Sequence, residues 1–164
     1  MSTSSKATGS LKSAFAKRVP DPEANSFIEQ ALKDAAADEV PELTQDQLAT
    51  ILADFWSFGS QRKGRAPVIR LATIPDAPGL ERLEIIQPDA PFLVDSVMGE
   101  IAERGLSVRA MFHPIVTINR DKAGLRSPTG TATTESMIQV ILERVGSDRE
   151  AALKIGRASC RERV

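Results

Sequence analysis

Few residues in this chain of 164 have the types and spacing that chemistry needs. His113 is the only histidine and Cys160 the only cysteine. A set of His and Cys ligands for zinc cannot be assembled from them, and an internal disulfide is excluded. Asp89 and Asp95 suggest paired carboxylates for general acid/base work. Six positions apart around a helix start, they do not share a face, and Asp89 reads as a helix cap. Glu135-Ser136 has no histidine at a recognisable spacing, so a hydrolase triad is not indicated. Arg62, Lys63 and Arg65 could hold an anion, but they read as solvated charge that complements a helix C-terminus. Phe55, Trp56 and Phe58 recur at helical spacing, as packing residues do, rather than as a platform for bases. No Gly-x-Gly-x-x-Gly follows a strand. The sequence therefore offers no catalytic, cofactor-binding or metal-ligating set.

Bulk properties narrow the function classes further. Hydrophobic residues make up 41% and charged residues 26%, enough apolar material for one good core or two small ones. No apolar run approaches the roughly 20 residues of a membrane-spanning helix. Met1 to Ser10 is polar and lacks a secretory pattern, so a cytoplasmic location is expected. A net charge of −1 argues against nucleic acid as a partner.

The elements that must position any site read as follows. Residues 1–20 are poor in large apolar side chains and suggest a flexible lead-in. Asp21-Pro22 opens a helix whose stripe is Phe27, Ile28, Ala31, Leu32 and Ala35, ended by Val40-Pro41. Thr44 and Gln47 form a capping box for a second helix, with Leu43 and Leu48 as its hydrophobic staple. Leu48, Ile51, Leu52, Phe55 and Trp56 line that helix, and the two should pair as a helical hairpin. Gln61–Pro67 is a linker, Val68–Leu71 a short strand, and Ile74–Gly79 a turn. Leu83–Ile86 is a strand. Asp89-Ala90-Pro91 starts a helix through Leu93, Val94, Val97, Met98 and Ile101, closed by Gly105. Leu106–Met111 and Ile115–Ile118 form one strand interrupted at His113-Pro114. Asn119–Thr133 is a polar loop. Ser136–Val145, apolar on both faces, is a central strand. Ser147 and Glu150 cap a final helix.

This order predicts an α+β fold, with a helical hairpin before an incomplete ferredoxin-like βαββα unit whose last strand is missing. The helices should lie on one face of an antiparallel sheet. The expected organisation is a lead-in over 1–20, a hairpin and linker over 21–66, and an α+β domain over 67–154. Residues 155–164 form a tail of different origin. Ile155-Gly-Arg-Ala-Ser-Cys-Arg-Glu-Arg-Val164 back-translates into a common sequencing adapter, which removes Cys160 from any natural role.

Leu83–Val145 resembles the first ACT-like domain of the large bacterial NAD-specific glutamate dehydrogenases. The resemblance is carried by the run from Ile85 through Pro91-Phe92-Leu93-Val94-Asp95-Ser96 to Val97, by Phe112-His113-Pro114, by Asn119-Arg120-Asp121 and by Glu135-Ser136. It implies an enzyme that oxidatively deaminates glutamate to 2-oxoglutarate and ammonia with NAD as hydride acceptor. It also implies that NAD and the catalytic residues belong to downstream domains, so none is carried onto this chain. The expected partners are those downstream domains and further copies of the chain. ACT domains resemble one another in placing a small ligand, often an amino acid, at the first strand-to-helix turn. Here that turn comprises Gln87, Asp89, Ala90, Pro91, Phe92 and Leu93, with Phe92 where many such turns have glycine. Two other readings stay open: a free-standing amino-acid-sensing module and a purely structural oligomerisation domain.

Overall fold

A computed structural model describes residues 3–33 and 40–144. The expected final helix, the Ser147 cap and the tail lie outside the described residues. The chain forms an α+β fold with a five-stranded antiparallel sheet between two helical layers. Helices α1 (Thr3–Arg18), α2 (Ala24–Lys33) and α3 (Gln45–Phe58) come first. Then follow β1 (Val68–Thr73), β2 (Leu80–Pro88), α4 (Leu93–Glu103), β3 (Val108–Phe112), β4 (Ile115–Arg120) and β5 (Thr131–Glu143).

The first residues are not a flexible lead-in. They form α1, which places Leu11 and Phe15 in the core, 0% and 1% exposed. Only these two large apolar residues, one helical turn apart, mark its inner face; packing supplies what the local pattern lacks. The expected hairpin is correspondingly a trio, because α3 packs most extensively against α1. Phe27 of α2 sits at its centre, 5.7 Å from the ring of Phe15, 5.9 Å from Phe55 and 5.3 Å from Trp56. Asp21 caps the start of α2 by accepting the Glu23 N–H at 3.0 Å. The capping box of α3 is complete in both directions, at 3.1 Å and 2.8 Å. Leu43 and Leu48 are both buried beneath it.

The sheet runs β1-β2-β5, and β5 then pairs with both β3 and β4. Phe112 faces Gln139 and Ile115 faces Ser136, so one register continues across the break at His113-Pro114. The Pro114 carbonyl keeps the ladder by accepting the Met137 N–H at 3.0 Å. Proline can accept but not donate, which explains an interrupted strand rather than two separate ones. β5 is central, buried on both faces from Glu135 to Leu142. Its alternate side chains feed two cores: Met137 and Ile141 face α1–α3, whereas Ile138, Val140 and Leu142 face α4.

Two features of the ferredoxin-like reading change. The helices occupy both faces, α4 on one and α1–α3 on the other. The outer side of β2, where the last strand of a βαββαβ unit would add, is taken by β1. The pairing runs from Val68 opposite Ile86 to Thr73 opposite Glu81. A strand from the amino-terminal side thus closes the edge that the order of elements alone leaves open.

Replacing Phe15 with Ala should destabilise the full chain by about 3 kcal/mol or more in denaturant melts, as core Phe truncations do. A flexible lead-in would lose less than about 0.5 kcal/mol.

Candidate functional site

Two places gather the residues that the sequence singles out. The first is the turn from β2 into α4. Asp89 is not the cap of α4; its backbone N–H donates to the Thr134 carbonyl at 2.9 Å and its side chain is exposed. The helix begins later, at Leu93, and Phe92 takes the cap position with φ 64° and no side-chain hydrogen bond. The first N–H groups of α4 therefore have no side-chain acceptor from the cap. Gly105, at φ 65°, ends the helix as the sequence indicates, and Leu106 N–H donates to the Ile101 carbonyl at 3.2 Å.

A shallow cleft opens at this turn, lined by residues 89–95 together with His113 and Ile115. Asp89 and Asp95 both border this cleft, the first before α4 and the second in its first turn. Phe92 is 77% exposed beside it and Ile115 40% exposed. Gln87 does not line the cleft. It is 1% exposed, and neither its Oε1 nor its Nε2 has a hydrogen-bond partner among the described residues.

Ser136 does have a histidine partner: the His113 Nε2 lies 2.5 Å from its Oγ. The spacing of 23 residues hid this contact, which exists because the interrupted strand runs beside β5. Ser136 is fully buried on the sheet, so no substrate carbonyl reaches its Oγ, and the pair is a structural hydrogen bond.

The second place is a buried ionic cluster that sequence reasoning missed. Glu135, 0% exposed, accepts from Arg120 Nε at 2.6 Å and Nη2 at 2.8 Å, from Arg62 Nη2 at 2.9 Å and from Thr133 Oγ1 at 2.7 Å. Arg62 is therefore not a solvated linker charge, while Lys63 and Arg65 beside it are exposed. Burial raises the Glu135 pKa, but donation from Arg120, Arg62 and Thr133 overcomes it and holds the group at about 2. Arg120 also donates to the carbonyls of Gly59 and Gly124, both at 2.8 Å. Arg126 donates to the Trp56 carbonyl and stacks over the Trp56 ring, 3.7 Å from its centroid. The C-terminus of α3 is thus capped by guanidinium groups from β4 and the β4–β5 loop, a role the sequence assigned to the linker. Burial first, and the neighbouring Arg120 charge second, lower the Arg126 pKa to about 10.

A related cluster joins α3 to the sheet. Buried Glu84 receives Arg70 Nε at 2.7 Å and Gln139 Nε2 at 2.6 Å, while Asp54 of α3 receives Arg70 at 2.8 Å and Arg82 at 2.7 Å. Here burial dominates, and the Glu84 carboxyl is raised above its ordinary value despite Arg82, Gln139 and Arg70.

Comparison with known proteins adds the decisive observation. The family described as glutamate dehydrogenase, ACT1 domain, matches residues 27–155, which include the turn, both ionic clusters and every described strand. The chain belongs to the glutamate dehydrogenase ACT1 family. No curated protein and no solved structure gave a match. Two of the residues on which the resemblance rests, Arg120 and Glu135, form the centre of the ionic cluster in this ACT1 fold.

Glu135→Gln in this ACT1 chain should cost about 3 kcal/mol, because it leaves two buried guanidinium groups without a carboxylate. The folded-state pKa of Glu135 lies below its ordinary 4.5, so its contribution is present above pH 4.5 and fades as pH falls towards 2. Denaturant melts across that window should show a shallower acid loss in Glu135→Gln than in the parent. Equal slopes would contradict the assignment.

Proposed function

We propose that this chain is the amino-terminal, non-catalytic head of an NAD-dependent glutamate dehydrogenase, and that its task there is to pack and assemble. On this reading the downstream part of the enzyme oxidises L-glutamate to 2-oxoglutarate and ammonia with NAD. The enzyme is cytoplasmic and homo-oligomeric, and NAD is held outside this chain. None of the described helices is long and apolar enough to cross a membrane, which is compatible with that setting.

The observation that carries the assembly role is Phe92. An L-residue in the left-handed region costs about 1 kcal/mol or more, and a bulky one is rarely found there. At φ 64°, Phe92 holds an aromatic ring that is 77% exposed, next to Pro91 and Ile115. Within the chain the Phe92 backbone serves α4, its carbonyl accepting the Ser96 N–H at 3.0 Å, but the exposed ring adds little to the described core. A surface that will be covered by a downstream domain or a second subunit does gain from it, since aromatic anchors dominate such contacts.

A second reading has its own support. An uncapped helix N-terminus suits a carboxylate, and the buried Gln87 amide, without a hydrogen-bond partner among the described residues, lies at the end of β2 just before the turn. An amino-acid effector would use the helix N–H groups, and would reach the Gln87 amide only if the turn opened, either in the enzyme or in a free-standing sensing module.

Phe92→Ser in the longer enzyme should weaken subunit or domain association by at least about tenfold in sedimentation, with the melting of this chain nearly unchanged. The isolated chain should show no glutamate oxidation with NAD. Undisturbed association in Phe92→Ser overturns the assembly role. Saturable amino-acid binding that Gln87→Leu abolishes would move the reading to an effector site.

A further inference from the structure

A second cleft, of about 410 Å³, lies between the 62–66 linker and the β4–β5 hairpin, and neither the family match nor the assembly reading gives it a role. Its walls include Arg62, Lys122, Gly130, Thr131 and Thr133, with Arg120 and Asp121 also on its border.

We propose that this cleft binds an oxyanion, a carboxylate or phosphate group, between Arg62, Lys122 and the threonines of the hairpin. Charge balance is the first reason. Two guanidinium groups, Arg62 and Arg120, share one buried carboxylate, Glu135, and Lys122 adds a further positive charge at the cleft. Asp121 on the border carries the only other negative charge, its Oδ1 turned to the N–H groups of Ala123 at 2.9 Å and Leu125 at 3.0 Å, so the residues lining the cleft together with Glu135 keep a net positive charge. Buried positive charge in excess of its counter-charge is costly unless an anion completes it.

The second reason is a donor left over. Arg62 is 3% exposed, and it spends Nη1 on the Gly64 carbonyl at 2.8 Å and Nη2 on Glu135 at 2.9 Å. Its Nε is buried and has no hydrogen-bond partner among the described residues. By contrast, each nitrogen of the Arg120 guanidinium donates to an acceptor. A buried guanidinium N–H without an acceptor, on a residue that borders a cleft, favours an acceptor supplied from outside the chain.

The third reason is preorganisation. The hairpin is locked to the linker by the Arg62 N–H donating to the Gly124 carbonyl at 3.0 Å. A Cβ on Gly124 would come within 2.6 Å of the Arg62 carbonyl oxygen, and one on Gly130 within 2.3 Å of the Arg120 carbonyl carbon. The two glycines allow the close backbone approach that joins the hairpin to the linker beside the cleft.

Titration of the full chain by calorimetry at constant ionic strength tests this, with inorganic phosphate and glutarate as separate probes and chloride as control. Saturable binding of at least one probe is expected. Phosphate alone would indicate a phosphoryl ligand, and glutarate alone a carboxylate ligand. Lys122→Ala, an exposed residue whose loss leaves the fold intact, should weaken binding by about tenfold. Arg62→Lys, which keeps the charge and removes the Nε–H, should weaken it at least as much if the variant melts like the parent. Should Arg62→Lys not fold, Lys122→Ala decides. No saturation by either probe up to the order of 10 mM, or unchanged affinity in Lys122→Ala, overturns the proposal. The outcome does not depend on the assembly role of Phe92.

Discussion

A carboxylate with no contact to water has to be neutralised by protonation or by partners, and Glu135 is neutralised by partners. Arg120 grips it with two nitrogens from the neighbouring strand, and Arg62 reaches it from the linker. The same Arg120 then holds the last carbonyls of α3 and the backbone of the β4–β5 hairpin. One buried charge thus fixes where the helical layer ends, how the linker turns and how the hairpin folds over it. Breaking any arm would leave the others buried and uncompensated, which makes the cluster an all-or-none constraint rather than a sum of contacts.

The rest of the molecule is arranged around that junction. Glu84, Arg70, Arg82 and Asp54 repeat the device further along α3, so the helix is pinned to the sheet at two points. The two carboxylates differ in balance: donors win at Glu135, and burial wins at Glu84. Between these polar points the contacts are apolar, with Phe27 at the meeting of three aromatic rings. β1 follows the linker and completes the sheet along β2, so the ACT1 fold draws its outer strand from the same segment that carries Arg62. The outward-facing Phe92, at positive φ, stands apart from these contacts, and that motivates the assembly role proposed for it.

The sequence carried much of this in local signals. The Thr44–Gln47 box, the Gly105 stop, the strand broken at Pro114 and the doubly apolar β5 each act within a few residues, and each is where the pattern puts it. Three features were not legible, for different physical reasons. Helix α1 has too narrow an apolar face to announce itself; its order comes from packing on α3. The start of α4 was read from Asp89 and Pro91, which are good helix openers, but Asp89 is drawn to Thr134 of β5 and the helix begins after Phe92. The ionic cluster joins residues 15 and 73 positions apart, so Arg62, Arg120 and Glu135 look like ordinary surface charge until the sheet brings them together.

The amino-terminal helices, β1 and the α4-backed sheet should form one cooperative unit joined by these buried charges. Amide hydrogen exchange on the full chain tests it most directly. If the claim holds, slowly exchanging amides in α3 and β1 share the protection of those in β2 and β5, and all lose it together as denaturant is added. Fast exchange throughout residues 3–73 beside a protected 80–143 would contradict it, and would make the ionic clusters a consequence of packing rather than its cause.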